Sequence, residues 1–287
     1  MSAMCTVASC QAVVDGDVVQ CKADGDCAAR GGAFAGSACV DAVCIDAARA
    51  CFGKVTWGAE DTRERRRSRI RFVDLWERNV EGLEVLVCAT RDEYCTSPES
   101  KVLTDAKGQA DVQVPKNFRG TFQVHTFPER LAAQDYMKMK VLLFPPQDRD
   151  EPLDVDIPTT QAVHLVPRAA LREQLAARAP LDPEAGHLFG AATNCDQTPA
   201  RGVTVTLRSD AGGKPPIQFY FNENNTVSTT ATETFALGQF GIANVPAGPV
   251  TLETSIPSLG GRRHGQLEFF INSGFVTTSI FPPTPLP

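Results

Sequence analysis

Histidine is scarce in this chain of 287 residues, with only His125, His164, His187 and His264. They lie far apart in sequence. None forms H-x-x-x-H or H-E-x-x-H, the spacings that set two imidazoles on one helix face to grip a metal. No G-x-S-x-G elbow occurs, and Gly212-Gly213-Lys214-Pro215 lacks the length and the Ser/Thr of a phosphate-cradling loop. With no catalytic constellation in view, a non-enzymatic protein without a cofactor is expected. No apolar run approaches the ~18 residues a membrane-spanning helix requires. The net charge of −6 and pI near 5.3 argue against nucleic acid as a partner.

Cysteine, by contrast, is abundant, with 10 residues. Cys5, Cys10, Cys21, Cys27, Cys39, Cys44 and Cys51 crowd the N-terminal stretch at uneven intervals, without a single C-x-x-C pair. Zinc modules favour such close pairs because two ligands must reach one metal from one turn. The pattern reads instead as a disulfide module of an oxidising compartment, stabilised by cross-links because it has few large apolar residues. An extracellular or cell-envelope location follows, in the periplasm or on an outer-membrane surface. Val7-Ala8-Ser9-Cys10 has the shape of a lipoprotein cleavage site, but no basic or apolar leader is visible before it. Either a leader has been removed or the match is fortuitous, and a lipid anchor stays open.

Apolar residues make up 43 % of the chain, enough for real cores, and the high Gly (22) and Pro (20) contents suit short strands joined by tight turns. Alternating apolar and polar residues predict strands at GKVTW (53–57), RIRFVDL (69–75), GLEVLVCAT (82–90), KVLT (101–104), QADVQV (109–114), GTFQVHTF (120–127), MKMKVLLF (137–144), LDVDI (153–157) and QAVHLV (161–166). The Ala-, Leu- and Arg-rich stretch 167–183 has helical spacing and ends at Pro180. Strands resume from Gly186 onward, and the tail PPTPLP is expected to be extended and unpacked. The chain divides into a cysteine-rich module (1–51), a first β-sandwich (52–166), a helical linker (167–185) and a second β-sandwich with a Pro-rich tail (186–287).

The two sandwiches share a pattern. Thr234-Phe235-Ala236-Leu237-Gly238-Gln239 matches Thr104-Asp105-Ala106-Lys107-Gly108-Gln109 at T-x-A-x-G-Q, and Gly202-Val203-Thr204-Val205-Thr206-Leu207 parallels Gly82-Leu83-Glu84-Val85-Leu86-Val87. An internal repeat with a period of roughly 120 to 130 residues is implied.

The run G-V-x-V-x-L, T-x-x-x-G-x-F and N-V-P-A-G-x-V-x-L, carried by Gly202–Leu207, Thr234–Phe240 and Asn244–Leu252, resembles the carboxypeptidase regulatory-like domain, a transthyretin-like (prealbumin-like) β-sandwich. Gly82–Val87 and Thr104–Val114 carry the likeness in the first copy, which has Val114-Pro115-Lys116-Asn117 in place of the Asn-Val-Pro-Ala-Gly turn. D-G-D-C and C-V-D-A-V-C look like small modules that precede such domains in bacterial envelope proteins. The resemblance implies a mainly β fold, two tandem Ig-like or transthyretin-like sandwiches behind a disulfide-rich head, with an accessory role of folding, spacing or attachment. The segment 232–255 is expected to form a hairpin, with Phe240, Ile242 and Val245 meeting Val250 and Leu252 across it.

Candidate sites are few. Cys88 and Cys95 flank a short loop and suit a local disulfide. A head cysteine, most simply Cys51, bridges Cys195, or Cys195 is a buried free thiol. Six arginines within residues 63–71, Arg65, Arg66 and Arg67 among them, form either an anion-binding loop or a solvated loop feeding the strand at Ile70. Asp148, Asp150, Glu151, Asp154 and Asp156 could neutralise them; these acids, or Asp15, Asp17, Asp24 and Asp26, could hold calcium, although neither set has the spacing of a known calcium loop. Tyr220 and Phe270 lie in runs that break alternation, so they are candidate outward aromatics for carbohydrate, unless the linker or the other sandwich covers them. The expected partners are other envelope or surface proteins, further copies of the chain, or surface polysaccharide. A binding, adhesion or assembly subunit is the leading expectation. A carbohydrate-binding module and a hydrolase, or an accessory domain of one, are the alternatives.

Overall fold

The computed structural model describes residues 19–74, 76–125, 136–142, 163–167, 169, 173, 180–212, 215–224 and 226–285. Cys5, Cys10, Asp15, Asp17, the acidic stretch 148–156 and the strand expected at 153–157 lie outside the described residues, as does most of the linker, of which Ala169 and Glu173 are helical.

Among its described residues the head holds one α-helical segment, α1 (Asp24–Ala29), 3-10 turns at Gly32–Phe34 and Ala47–Arg49, and a hairpin of β1 (Ser37–Val40) and β2 (Val43–Asp46). The hairpin turns on Asp41 and Ala42, both with positive φ, which matches the twist of the flanking strands. Disulfides Cys21–Cys39 and Cys27–Cys44 cross in its interior, with Phe34 packed alongside in place of a larger apolar core.

The first sandwich comprises β3 (Asp61–Val73), β4 (Glu84–Cys88), β5 (Ser100–Leu103), β6 (Gln109–Lys116), β7 (Thr121–His125), β8 (Lys138–Leu142) and β9 (Val163–His164). One sheet has the order β6-β3-β9, and facing it runs β5-β4-β7-β8. The arginine run expected as a loop is strand. Ser68, Ile70 and Phe72 point into the core, while arginines occupy the alternate, outward positions. The expected strand at GKVTW is irregular instead.

The second sandwich comprises β10 (Gly186–Ala192), β11 (Thr204–Ser209), β12 (Ile217–Phe221), β13 (Val227–Ser228), β14 (Gln239–Val245), β15 (Gly248–Ile256), β16 (Arg262–Ile271) and β17 (Phe275–Phe281). The chain runs the same course twice: β10 pairs antiparallel with β14 and parallel with β17, as β3 does with β6 and β9, and β11-β15-β16 repeats β4-β7-β8. The turn between β14 and β15 is not a hairpin. It carries the chain from one sheet to the other, so Phe240 and Ile242 meet Val250 and Leu252 across the sandwich core. Alternation alone predicts facing side chains equally for either arrangement.

The two sandwiches fuse edge to edge. β17 pairs in parallel with β8, from Phe275↔Lys138 to Thr278↔Val141, and Ser279 Oγ donates to Leu142 O at 2.9 Å. The result is one nine-stranded sheet, β13-β12-β14-β10-β17-β8-β7-β4-β5. Its second-sandwich portion turns an outer apolar face toward the first. Phe219, Ala243 and Val276 belong to the same buried cluster as Met137, Met139 and Leu165. The tail differs from expectation too: Pro282, Pro283 and Thr284 are buried, with Thr284 Oγ1 accepting from Gln266 N at 2.8 Å. A tail with these bonds to β16 is part of the sandwich.

Candidate functional surfaces

The seam between the sandwiches is built around a buried lysine. β8 reads K-M-K-V-L, and its register puts Lys140 under the loop closed by Cys88–Cys95 and beside the end of β16. Lys140 Nζ donates to Phe270 O (3.2 Å), Glu93 O (3.3 Å) and Asn272 Oδ1 (3.1 Å), and Asn272 Nδ2 donates to the same Glu93 carbonyl at 3.1 Å. Burial disfavours the ammonium and pulls its pKa down to about 8, against the opposing pull of the Glu93 and Asp92 carboxylates. Sequence periodicity reads Lys140 as the polar face of a half-buried strand. Nothing local signals that a loop and a second domain will cover it.

The head is fastened to the second sandwich rather than to the first, which follows it in the chain. Cys51 and Cys195 form a disulfide with Cα atoms 5.9 Å apart. Cys195 N donates to Ala48 O (2.7 Å), Arg49 donates to Arg201 O (2.7 Å), and Arg262 pairs with Asp41 (3.0 Å). Phe52 inserts among Ala192, Ala200, Val203 and Ile256, edge-on to the buried His264 ring.

The arginine row lies on the outer face of β6-β3-β9. Arg65 meets Glu99 at 2.8 Å, Arg67 and Arg69 share Asp111 at 2.5 and 2.8 Å, and Arg71 grips Asn79 Oδ1 through Nε (3.0 Å) and Nη2 (2.7 Å). The guanidinium groups beside Asp111 hold its carboxyl below the usual range. Arg66 does not belong to this row. It sits opposite core-facing Val114, has a side chain only 15 % exposed, and pairs with Glu64.

The row ends at a turn that sequence reading passed over. Asp74 is buried and accepts from Trp76 N (2.8 Å), Arg78 N (3.0 Å) and Arg78 Nε (2.7 Å). Burial alone would raise the Asp74 pKa, but these donors outweigh it and the net shift is downward. Arg78 lies 5.0 Å from the centroid of Trp76, whose side of the turn faces solvent at 62 % exposure.

The expected outward aromatics require correction. Tyr220 is 1 % exposed and its hydroxyl accepts from Val205 N (3.1 Å) and Gln218 Nε2 (2.6 Å), so it offers no stacking face. β12 is covered on both faces, by its own core and by the first sandwich. Phe270 is half-buried at the seam, against exposed Tyr94 with ring centroids 5.1 Å apart.

The histidines stay separate and serve local structure. His264 bonds Thr193 O (2.8 Å) and Thr254 Oγ1 (2.9 Å), and burial pushes its pKa down. His187 Nδ1 accepts from Asn244 N, and His164 pairs with Glu77 at 2.7 Å. His125 is half-buried beside Phe275, with its pKa lowered by burial and by Lys138. In the head, the sulfurs of Cys21, Cys27 and Cys44 lie within 4.8 Å of one another but belong to two disulfides, which have no thiolate for a metal. Asp24 and Asp26 accept from backbone N–H groups of Cys39, Lys22 and Ala23. Among the described residues no helix is long and apolar enough to cross a membrane.

No protein-family profile matches the chain, and no curated protein sequence matches it. Among solved structures, the chain is similar to the Bacillus anthracis TIE protein, at 15 % identity and a TM-score of 0.26, over 76 % of this chain and 34 % of that one. The chain thus spans about a third of that protein. The Lactobacillus rhamnosus GG shaft pilin SpaA aligns at 11 % identity and a TM-score of 0.23, over 78 % of this chain and 100 % of that one. A streptococcal ancillary pilin aligns at 13 % identity and a TM-score of 0.22, over 76 % and 62 %. Overlaps this loose carry no argument about function.

Proposed function

We propose that the chain is a non-enzymatic structural or adhesive subunit of an exported cell-surface or envelope assembly. The observation that carries this reading is the double closure of the molecule: the nine-stranded sheet joins the sandwiches, and Cys51–Cys195 ties the head to the second one. Such cross-linking suits an oxidising, exposed location and a part that must keep its shape. The buried titratable groups support it as well. His264 and Lys140 both make structural hydrogen bonds, His264 to Thr193 O and Lys140 to Asn272 Oδ1. Carboxypeptidase regulatory-like ancestry belongs to the same proposal and is supported by the runs Gly202–Leu207, Thr234–Phe240 and Asn244–Leu252.

The test uses protein taken from its native source. Intact cells are labelled with a membrane-impermeant amine reagent, and the labelled protein is then sized by chromatography with light scattering. The reading expects labelling, and elution as a polymer or with a defined partner. An unlabelled protein, or a clean monomer with nothing bound, overturns it.

A further inference from the structure

The duplication supplies an internal control for the arginine row. Residues 72–83 of the first sandwich superpose in hydrogen bonding on 192–203 of the second: Asp74 N donates to Arg78 O as Asn194 N donates to Thr198 O, and Val80 N to Phe72 O as Ala200 N to Ala192 O. At the positions of Arg67, Arg69 and Arg71 the second copy has His187, Phe189 and Ala191, and at Trp76 and Arg78 it has Asp196 and Thr198. The backbone course and its turn thus form with neither the arginines nor the tryptophan at these positions.

The corresponding faces also have different fates. In the second copy Phe189 stacks with Phe219 (5.7 Å) and packs against the first sandwich. In the first copy no described residue packs over the face as Phe219 does over Phe189, and the Arg65, Arg67 and Arg69 side chains are 47 %, 46 % and 28 % exposed. A chain of net charge −6 thus gathers four arginines, Arg65, Arg67, Arg69 and Arg71, against the two carboxylates of Glu99 and Asp111 on this face. Successive outward arginines on a strand stand roughly 6.6–6.8 Å apart, so the row presents charge at a regular linear spacing. The row already binds carboxylates in side-on geometry, since Arg69 engages Asp111 through both Nε (2.8 Å) and Nη2 (3.2 Å).

At the end of the row, Asp74 fixes the turn that holds Trp76 outward. Keeping an indole in water is unfavourable, and a rigid turn that does so presents an apolar ring just past the end of the cationic strand, with the Arg78 guanidinium 5.0 Å from its centroid. A pyranose ring has a face of C–H groups suited to such a plate. An acidic peptide would also be held by the arginines, but a peptide of aspartate or glutamate has no flat C–H face to lay on the indole.

From this juxtaposition we infer that the outer face of β3, from Arg65 through Arg71 to Trp76, binds a linear polysaccharide of carboxylate-bearing sugars. The carboxylates lie along the arginines and one sugar ring stacks on Trp76. The inference rests on the surface-protein reading above, but its assay is a binding measurement on purified chain and does not depend on whether the protein assembles.

The full chain is titrated calorimetrically with an oligogalacturonate at low salt, with neutral dextran and poly-glutamate as comparisons. Oligogalacturonate is expected to bind and dextran not to bind. Arg67→Gln with Arg71→Gln is expected to weaken oligogalacturonate about tenfold or more, a loss of about 1.4 kcal/mol. Trp76→Ala is expected to weaken oligogalacturonate by a similar factor and to leave poly-glutamate within about twofold. In the unaltered protein, bound oligogalacturonate is expected to shield tryptophan fluorescence from acrylamide, a readout that survives if a variant misfolds. No binding, or poly-glutamate binding as tightly without any shielding, overturns the inference.

Discussion

Thr104 and Thr234 make the same hydrogen bonds in the two sandwiches. Thr104 Oγ1 donates to Val80 O (2.7 Å) and accepts from Leu83 N (3.0 Å); Thr234 Oγ1 donates to Ala200 O (2.7 Å) and accepts from Val203 N (3.0 Å). Both hydroxyls are buried, and the backbones repeat as well, with Gly82 N bonding Thr104 O and Gly202 N bonding Thr234 O. The shared threonine of the sequence repeat is thus a cross-connection that ties the start of one strand to the end of another.

Substituting Val at either threonine keeps the shape and strands a buried N–H and a buried carbonyl. Each change is expected to cost about 1–3 kcal/mol in urea unfolding, with Ser recovering most of the loss. If Thr234→Val is neutral while Thr104→Val is costly, the equivalence is structural without being energetic.

Gly238 and Gly202 separate backbone strain from crowding. Both have positive φ, but a Cβ at Gly238 would stand 2.3 Å from Ala192 O, whereas one at Gly202 would meet open space. Gly202→Ala is expected to cost about 1 kcal/mol, and Gly238→Ala at least about 2 kcal/mol more, because the obstructing atom is backbone. Equal costs in thermal unfolding would contradict the close approach.

Much of this fold was legible in the sequence, and the misses have physical reasons. T-x-A-x-G-Q reported the duplication because both copies need the same threonine hydroxyl and the same left-handed glycine. The sequence starts β3 late because arginines at Arg63, Arg65 and Arg67 resemble a solvated loop until core-side Ser68, Ile70 and Phe72 reveal the period. The β14–β15 crossing, the burial of Tyr220 and the β8–β17 pairing depend on which sheet a strand joins and what covers it. No short window of sequence carries that information. Lys140 is illegible for the same reason, since segments distant in the chain cover it, whereas Trp76 depends on a local turn whose Asp74 bonds no apolar–polar alternation reports.

Breaking Cys51–Cys195 with Ser at both positions is expected to lower stability by about 2–5 kcal/mol, since the bridge closes a loop with a sequence separation of 144. Limited proteolysis should then cut first between the head and β3. A head as resistant as in the parent protein would mean that Phe52 packing and the Arg262–Asp41 pair suffice.

Lys140 should give the fold a signature in alkali. Its folded pKa near 8 lies below the ordinary 10.5, so between these values the unfolded chain holds the extra proton. Stability therefore rises with pH across that window, by up to about 3 kcal/mol, and is flat below it as far as this group is concerned. Denaturant titrations at pH 7, 8.5 and 10 are expected to show the parent gaining on Lys140→Met as pH rises. A constant difference between the two proteins would place the ammonium in water.

The most direct test of the account is amide hydrogen exchange across the seam. The β8 and β17 backbones pair from Phe275↔Lys138 to Thr278↔Val141, and β17 also pairs along its length with β10. If one sheet joins the sandwiches, the bonded amides of Lys138–Leu142 and Phe275–Phe281 exchange as slowly as those of β4 and β14 in the two cores. Fast exchange confined to the amides that bond between β8 and β17, with those bonded to β7 and β10 still protected, would contradict the claim and make the molecule two independent domains on a tether.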